Sequence, residues 1–227
     1  MNHIHPTAVI GPDVRLGRDN TIGPFVVLSG NVEVGDENWI GGGVVIGAPP
    51  EVRSFAHPRS DRDSRGAGVI IGSANVIREY AQIHSGLKVR TTVGDGGFLM
   101  NQVYVAHDCR IGDNVTLASS VLLAGHVTVG DGANVGLGSQ VHQFRLIGAG
   151  AMVGMGSTVT RDIPPFAMAY GTPALVRGAN RVGLERLGVN AHAIAAFQHA
   201  YENSISLDAD GLDLPDNIRR ALVAVHG

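Results

Sequence analysis

The sequence predicts an all-β fold, a parallel β-helix, because a hydrophobic residue recurs at every sixth position and glycine often follows it. The longer run comprises Val93, Leu99, Val105, Ile111, Leu117, Leu123, Val129, Val135, Val141, Ile147, Val153 and Val159, and the earlier run comprises Ile10, Leu16, Ile22, Leu28, Val34, Ile40 and Ile46. An α-helix has about 3.6 residues per turn and cannot keep a strict six-residue period on one side. A short strand that ends at a corner can keep it, so we expect each aliphatic residue to point inward.

The repeat resembles that of the left-handed hexapeptide-repeat family, in which three hexads form one triangular coil of 18 residues. The resemblance implies a left-handed parallel β-helix. Two segments break the period: residues 48–70, rich in Pro, Arg, Asp and Ser, and a four-residue slip near Lys88–Thr92. Both are expected to be loops that leave a corner. Insertions in repeat proteins often build the binding face.

The repeat is expected to end at Pro164 and Pro165, because tandem proline removes the backbone donors that strand pairing needs. Beyond them, residues 180–203 and 215–226 have helical periodicity and are expected to cap or flank the β-helix. The predicted regions are a β-helix over 1–165, with a loop insertion at 48–70, and a C-terminal helical region over 166–227.

Composition narrows the class of protein. The chain has 227 residues, of which 44% are hydrophobic, and this fraction argues against disorder. The net charge of −3 gives no reason to expect nucleic acid or a membrane surface as a partner. Cys109 is the only cysteine, so no internal disulfide can form. The first residues lack the basic region and apolar stretch of a secretory signal, so we expect none, and no apolar run approaches the roughly 20 residues that a membrane helix needs. We therefore expect a soluble cytoplasmic protein.

Four of the ten histidines fall on one side of the predicted coils. Residues 18 apart should lie on the same face of successive coils, about 4.8 Å from each other. With the slip allowed for, this spacing places His84, His107, His126 and His142 on four consecutive coils. The other six histidines are dispersed over the termini and the long loop: His3, His5, His57, His192, His199 and His226.

Three interpretations of this column are open. A neutral imidazole near pH 7 can act as a general base towards a hydroxyl. Imidazole is also a common zinc ligand. The γ-class carbonic anhydrases bind metal on this fold through two ligands close together in sequence, whereas no two column histidines lie closer than 16 residues, so metal is disfavoured. The third interpretation is a structural scaffold with the histidines at a subunit interface.

Four motifs carry a more specific resemblance, over the chain up to about residue 190. They are Val105-Ala106-His107-Asp108-Cys109, Leu123-Ala124-Gly125-His126-Val127, Val141-His142-Gln143-Phe144 and Asp162-Ile163-Pro164-Pro165, and Ile77-Arg78-Glu79 adds to them. The chain resembles the acyl-[acyl-carrier-protein]–UDP-N-acetylglucosamine O-acyltransferases, which carry out the first step of lipid A biosynthesis. The resemblance implies a trimer with its active cleft between neighbouring β-helices.

The resemblance also implies roles for individual residues. His107 matches the general base that takes the proton from the sugar 3-hydroxyl, Asp108 supports it, and Gly125 matches the backbone donor to the developing oxyanion. The matched substrate-binding residues are His84, His126, His142, Gln143, Met155, Asn180 and Arg186. Asn180 and Arg186 correspond to contacts with the nucleotide end. Met155 corresponds to a site that limits acyl length and implies a medium chain; a plain core-filling role is the alternative.

The chain departs from the family at the contacts with the acceptor sugar. Val52 and Ser54 stand where the family places an Asp and a Lys, and Tyr104 stands where a second histidine is usual. Val182 and Leu187 replace an expected glutamate and a second arginine. The 48–70 loop is longer than usual, the helical tail is shorter, and the loop carries several arginines: Arg53, Arg59, Arg62 and Arg65.

The resemblance therefore implies an EC 2.3.1 acyltransferase. It would move a 3-hydroxyacyl chain from acyl carrier protein to a hydroxyl of a UDP-N-acetylglucosamine-like sugar, as a homotrimer, with no metal or other cofactor. Two alternatives stay open. One is the same chemistry with another acceptor, such as an amino sugar acylated on oxygen or nitrogen, or with acyl-CoA as donor. The other is a non-catalytic trimeric scaffold.

Overall fold

A computed structural model describes residues 1–56 and 66–223. The described chain winds into stacked coils whose strands form three parallel sheets, one on each side of a prism. Sheet A contains His3–Ile4, Thr21–Ile22, Trp39–Ile40, Val76–Ile77, Phe98–Leu99, Thr116–Leu117, Asn134–Val135, Met152–Val153, Ala167–Gly171 and Ala174–Ala179. Sheet B contains Val9–Ile10, Val27–Leu28, Val45–Ala48, Gln82–His84, Tyr104–Val105, Leu122–Leu123, Gln140–Val141 and Thr158–Val159. Sheet C contains Arg15–Leu16, Val32–Val34, Val69–Ile71, Thr91–Val93, Arg110–Ile111, Thr128–Val129 and Leu146–Ile147.

The six-residue hydrophobic repeat forms the core of this prism. Val105 pairs with Leu123, and Leu123 pairs with Val141, so residues 18 apart are neighbours in the sheet. Side chains such as Ile83, Val105 and Leu123 have no exposed surface. The predicted parallel β-helix is therefore confirmed, while its left-handed sense rests on the resemblance.

Most of the glycines that follow the aliphatic residues do not form the corners of the coils. At many corners the left-handed backbone conformation belongs to other residues, such as Asp19 and Asn114. Gly112 lies just before such a corner with an ordinary φ, and a Cβ there would come within 2.8 Å of the backbone nitrogen of Asp131 on the next coil. Glycine here permits close stacking of successive coils.

The corner between sheets C and A contains a buried ladder of asparagines that the hydrophobic pattern did not reveal. Asn20, Asn38 and Asn75 are 0–1% exposed. The Asn38 amide donates to the carbonyl of Gly72 at 2.9 Å, and its oxygen accepts from the Asn75 backbone N–H at 2.9 Å. Each asparagine thus joins its coil to the next one.

Both interruptions of the repeat leave the same corner, between sheets B and C. Ile46 pairs with Ile83 across 37 residues, and Ile83 pairs with Val105 across 22 residues, so the core residues of these coils stay paired, with a register shift only after Ile83, where His84 pairs with Ala48. Part of the 48–70 insertion, with His57, Arg59, Arg62 and Arg65, lies outside the described residues.

The sheets do not end at the tandem prolines, so the predicted boundary at residue 165 is wrong for strand structure. Ile163 still pairs with Ile147. Pro164 and Pro165, which have no backbone N–H, then form the next corner on the last coil of sheet C, where no further strand needs a donor from them. Ala167–Gly171 continues sheet A in parallel, and Ala174–Ala179 returns antiparallel to it. Residues 167–179, predicted to belong to a helical region, are therefore mostly strand.

Three helices follow within the described residues: α1 (Arg181–Arg186), α2 (Ala191–Glu202) and α3 (Asp216–Val223). The predicted helix over 180–203 is two helices, because Gly188 has a φ of +78° and Asn190 caps α2 by accepting from the Ala193 N–H. Residues 224–227 of the predicted 215–226 helix lie outside the described residues. Helix α2 packs on Ala174–Ala179 with Phe197 fully buried. In the described part of the chain, no helix is both long and apolar enough to cross a bilayer.

Candidate active site

The four column histidines lie together at one edge of sheet B, where the chain turns towards sheet C. His84 ends the strand Gln82–His84, and the other three follow the next three strands of the sheet. The pairs Ile83–Val105, Val105–Leu123 and Leu123–Val141 fix these coils in register. The predicted placement of four histidines on one side of consecutive coils is confirmed.

His107 and Asp108 form a hydrogen-bonded pair although they are adjacent in sequence. His107 Nδ1 lies 2.7 Å from Asp108 Oδ2. Adjacent side chains on a strand point to opposite faces, but Asp108 occupies the corner with a φ of +59°, which turns its carboxylate towards His107. A carboxylate only accepts, so Nδ1 carries the proton and the Nε2 of the neutral ring keeps a free lone pair. This is the form of histidine that can accept a proton from a substrate.

The slip in the repeat supplies the support for Asp108. The backbone N–H groups of Leu87, Lys88 and Val89 donate to its carboxylate at 3.2, 2.8 and 2.7 Å. Burial alone would raise the pKa of Asp108, but the bonds from Val89, His107, Lys88 and Leu87 together outweigh it and hold the pKa below its usual range. The sequence predicts a loop at the slip, but its residue types do not indicate the direction in which the N–H groups of the loop point.

Gly125 lies directly beside the His107 ring on the next coil. A Cβ at Gly125 would come within 2.7 Å of both Cε1 and Nε2 of His107. The imidazole therefore occupies the space that a larger residue would fill. Among the described residues, the Gly125 N–H has no hydrogen-bond acceptor, so it can donate to a bound group.

His126 and Phe144 extend the site along the corner. Asp108, His126 and Phe144 are successive residues of one corner column, 18 apart, and each has a φ near +60°. The His107 and His126 rings meet edge to face at 5.1 Å, and Phe144 stacks on His126 at 4.5 Å. Phe144 is 58% exposed, so this column forms an open aromatic surface next to the base.

The remaining predicted residues divide into two groups. His142 and Gln143 are exposed beside Phe144, with His142 Nδ1 at 3.1 Å from the Gln143 carbonyl oxygen. Met155, 75% exposed, lies instead at the corner between sheets A and B. Asn180 caps α1 and donates to the Gly150 carbonyl, and Arg186 is exposed at the end of α1. One chain therefore does not bring Met155, Asn180 and Arg186 to the histidine corner.

His107, Asp108 and His126 present possible metal-ligand atoms within 4.8 Å of one another. The donor set argues against a metal centre, because the two Asp108 oxygens already accept three backbone N–H groups and His107. A carboxylate offers about four acceptor positions, so a metal would have to displace existing bonds. The expectation that no metal is bound stays a prediction.

A second polar cluster was not foreseen from the sequence. The Tyr104 hydroxyl donates to Glu51 Oε1, and the other Glu51 oxygen lies 3.4 Å from His84 Nδ1. Of the other positions where the chain departs from the family pattern, Val52 is partly buried, and Ser54, Val182 and Leu187 are exposed. Glu51 and Tyr104 are 53 residues apart, so only the path of the loop brings them together.

Comparisons with known proteins give the chain its family. The family model described as Udp N-acetylglucosamine O-acyltransferase, Domain 2, matches residues 162–222. The UDP-N-acetylglucosamine O-acyltransferase structure from Moraxella catarrhalis is 31% identical, with a TM-score of 0.72 over 98% of this chain and 90% of that chain. The chain belongs to the UDP-N-acetylglucosamine O-acyltransferase family.

Two further proteins of this family are similar to the chain. The Francisella novicida UDP-N-acetylglucosamine acyltransferase structure is 30% identical over 88% of this chain and 78% of that chain, with a TM-score of 0.76. The acyl-[acyl-carrier-protein]–UDP-N-acetylglucosamine O-acyltransferase of Paraburkholderia phymatum is 42% identical over 136 residues, which are 57% of this chain and 52% of that enzyme. The chain spans about half the length of the curated relatives that it matches.

Proposed function

We propose that the chain is an acyltransferase that moves a 3-hydroxyacyl group from acyl carrier protein to a hydroxyl of a UDP-N-acetylglucosamine-like sugar nucleotide. The observation that carries the proposal is the His107–Asp108 pair, with a free Nε2 facing the small residue Gly125. Relatives 39–42% identical over 112–136 residues are named for this reaction, which supports the substrate class.

The steps of acyl transfer follow from the tautomer of His107, which has its proton on Nδ1 and a free lone pair on Nε2. The sugar hydroxyl gives its proton to His107 Nε2 as its oxygen bonds to the thioester carbonyl carbon. The carbonyl oxygen becomes an oxyanion, for which the Gly125 N–H is a suitable donor. The carbon–sulfur bond then breaks, and the imidazolium returns the proton to the leaving sulfur. The products are a sugar ester and the free thiol, and Asp108 stabilises the imidazolium formed between the two steps.

The proposal includes a homotrimer in the cytoplasm and no resident cofactor. Met155, Asn180 and Arg186 lie away from the histidine corner of their own chain. If they contact the same substrate, a neighbouring copy must supply them, and closed rings satisfy that requirement. The exposed Phe144 provides apolar surface at the same corner.

The test is the His107→Ala variant, assayed by mass spectrometry of the product with acyl carrier protein and acyl-CoA donors. We expect a loss of about 10²–10⁴-fold in turnover with an unchanged melting temperature. His192→Ala, an exposed histidine on α2, is the matched control and should keep full activity. Normal turnover by His107→Ala would contradict the mechanism. A folded wild-type protein that acylates no sugar with either donor would support the scaffold alternative.

A further inference from the structure

Ser85 lies in the segment that leads from the strand Gln82–His84 into the slip of the repeat. Its side chain is buried, with 4% of the residue surface exposed. The Ser85 hydroxyl accepts from the backbone N–H of Gly68 at 2.9 Å and donates to the Gly86 carbonyl at 3.3 Å. A buried hydroxyl that both accepts and donates is held in one orientation. Ser85 therefore joins the returning end of the long insertion to the start of the slip.

The end of the insertion and the start of the slip also contact each other directly. Gly68 and Gly86 form an antiparallel bridge, in which the Gly86 N–H donates to the Gly68 carbonyl at 3.1 Å. The Ala67 N–H donates to the Gly86 carbonyl at 2.6 Å. The turn that follows is tight, since a Cβ on Gly86 would overlap the Val89 carbonyl oxygen. The Gly86 carbonyl thus has two donors, the Ala67 N–H and the Ser85 hydroxyl.

The Gly86 carbonyl belongs to the same peptide group as the Leu87 N–H. A peptide group is planar, so fixing its carbonyl oxygen also fixes the direction of its N–H. Donors to the carbonyl polarise the group and strengthen the hydrogen bond that its N–H donates. The Leu87 N–H donates to Asp108 Oδ2 at 3.2 Å. The two donors at the Gly86 carbonyl therefore act on the Asp108 carboxylate through one rigid group.

The oxygen that Leu87 contacts is also the oxygen that holds the proposed base. Asp108 Oδ2 lies 2.7 Å from His107 Nδ1, whereas the other two N–H groups of the slip donate to Oδ1. His126 Nε2 lies 3.8 Å from the same Oδ2. A change in the Leu87 hydrogen bond therefore acts first on Asp108 and then on His107.

We infer that Ser85 is a positioning residue for acyl transfer. Together with the end of the insertion, its hydroxyl fixes the Gly86–Leu87 peptide, which orients Asp108. Asp108 in turn orients His107. The inference rests on the proposed function and extends it, because it couples the conformation of the long insertion to the position of the base. Ser85 acts through Asp108 and not on the substrate, so its loss should change kcat rather than KM.

The test compares Ser85→Ala with Ser139→Ala, which is the matched control. Ser139 is also buried, and its hydroxyl donates to the Gly154 carbonyl at 2.9 Å and accepts from the Ser157 N–H at 3.3 Å. It makes the same kinds of hydrogen bond at the corner between sheets A and B. For each variant, kcat and the KM of the acyl donor and of UDP-N-acetylglucosamine are measured. Thermal unfolding gives the melting temperature, and an NMR titration of the carboxyl carbon gives the pKa of Asp108.

Both variants should lower the melting temperature by about 2–8 °C, because each leaves a buried N–H without its acceptor. Only Ser85→Ala should lower kcat, by about tenfold, with the KM of both substrates unchanged. Ser85→Ala should also raise the pKa of Asp108 towards its ordinary value, because a weaker Leu87 bond stabilises the carboxylate less. Ser85→Thr keeps the hydroxyl and should restore kcat and the pKa. Ser85→Cys, with its weaker thiol donor, should give smaller changes in the same direction and replaces Ser85→Ala if that variant does not fold.

A double-mutant cycle with Asp108→Asn tests the route of the effect. If Ser85 acts through Asp108, Ser85→Ala should lower kcat by less than about twofold in the Asp108→Asn background. An equal loss in both backgrounds, or a wild-type kcat and Asp108 pKa in Ser85→Ala, would overturn the inference and leave the proposed function intact. A wild-type protein that transfers no acyl group would overturn the proposed function, and the Asp108 pKa in Ser85→Ala would still decide whether Ser85 acts on the carboxylate.

Discussion

Replacing Gly125 by alanine tests whether the position of the His107 ring, as well as its presence, controls acyl transfer. The new Cβ would lie 2.7 Å from Nε2, whereas ordinary van der Waals contact begins at 3.4 Å. The ring must therefore retreat by about 0.7 Å, and its 2.7 Å hydrogen bond to Asp108 resists that movement. A catalytic group misplaced by about 1 Å can cost 10²-fold in rate. We expect kcat/KM to fall about 10²-fold, which corresponds to about 2.7 kcal/mol of transition-state stabilisation.

The assay is steady-state turnover with acyl carrier protein as donor, combined with thermal unfolding. The φ of Gly125 is not in the left-handed region, so alanine is compatible with the backbone, and stability should change by no more than about 1 kcal/mol. Gly211→Ala, where no heavy atom lies within 4 Å of the added Cβ, is the control and should keep wild-type rates. If Gly125→Ala turned over at the wild-type rate with the wild-type pH profile, His107 would not be the base.

Two further predictions concern the buried polar groups. Asp108→Asn should lower kcat by about 10³-fold or more. Because folding lowers the pKa of Asp108 below its ordinary value of 3.8, the carboxylate stabilises the fold above that value and loses this effect as pH falls through the folded-state pKa. The stability difference between wild type and variant, measured by urea unfolding, should therefore be largest near pH 7 and shrink towards pH 3; a constant difference would contradict the assignment. Asn38→Ala should cost about 3 kcal/mol, because it leaves the buried Asn75 backbone N–H without its acceptor and removes the amide bonds to Asn20 Oδ1 and the Gly72 carbonyl, and should lower the melting temperature by about 6–12 °C. The control is Asn134→Ala at an exposed position, which should change the free energy of unfolding by no more than about 0.5 kcal/mol. Equal losses of stability in Asn38→Ala and Asn134→Ala would show that the asparagine ladder does not stabilise the fold.

The features that the sequence predicted correctly are those that follow from the six-residue repeat. A repeat of six residues and a coil of 18 determine which aliphatic residues point inward and which histidines share a side. The asparagine ladder had the same kind of signal, since Asn20 and Asn38 are 18 residues apart, but amide side chains were not included in the pattern. The helical tail was predicted less well, because Gly188 ends one helix within a continuous apolar periodicity.

The contacts that the sequence could not predict depend on the backbone conformation of corners and loops, which sets the direction of their N–H groups and side chains. The left-handed conformation of Asp108 brings it to His107, and the segment 87–89 turns three N–H groups towards it. The contact of Glu51 with Tyr104 depends on the route of a long insertion. These contacts arise from loop geometry, for which residue spacing carries no information.

Both insertions leave the coils at a single corner, so the effect of an insertion or deletion depends on where it falls. Within a coil, adding or removing residues would move the following strands onto another side of the prism, so the length of a coil is fixed at 18 residues. At the corner between sheets B and C, length is free, and the residues added there reach Asp108 and His84. Relatives that use different acceptor sugars should therefore differ in the length and sequence of these two corner segments, while the rung that carries the base is inherited unchanged.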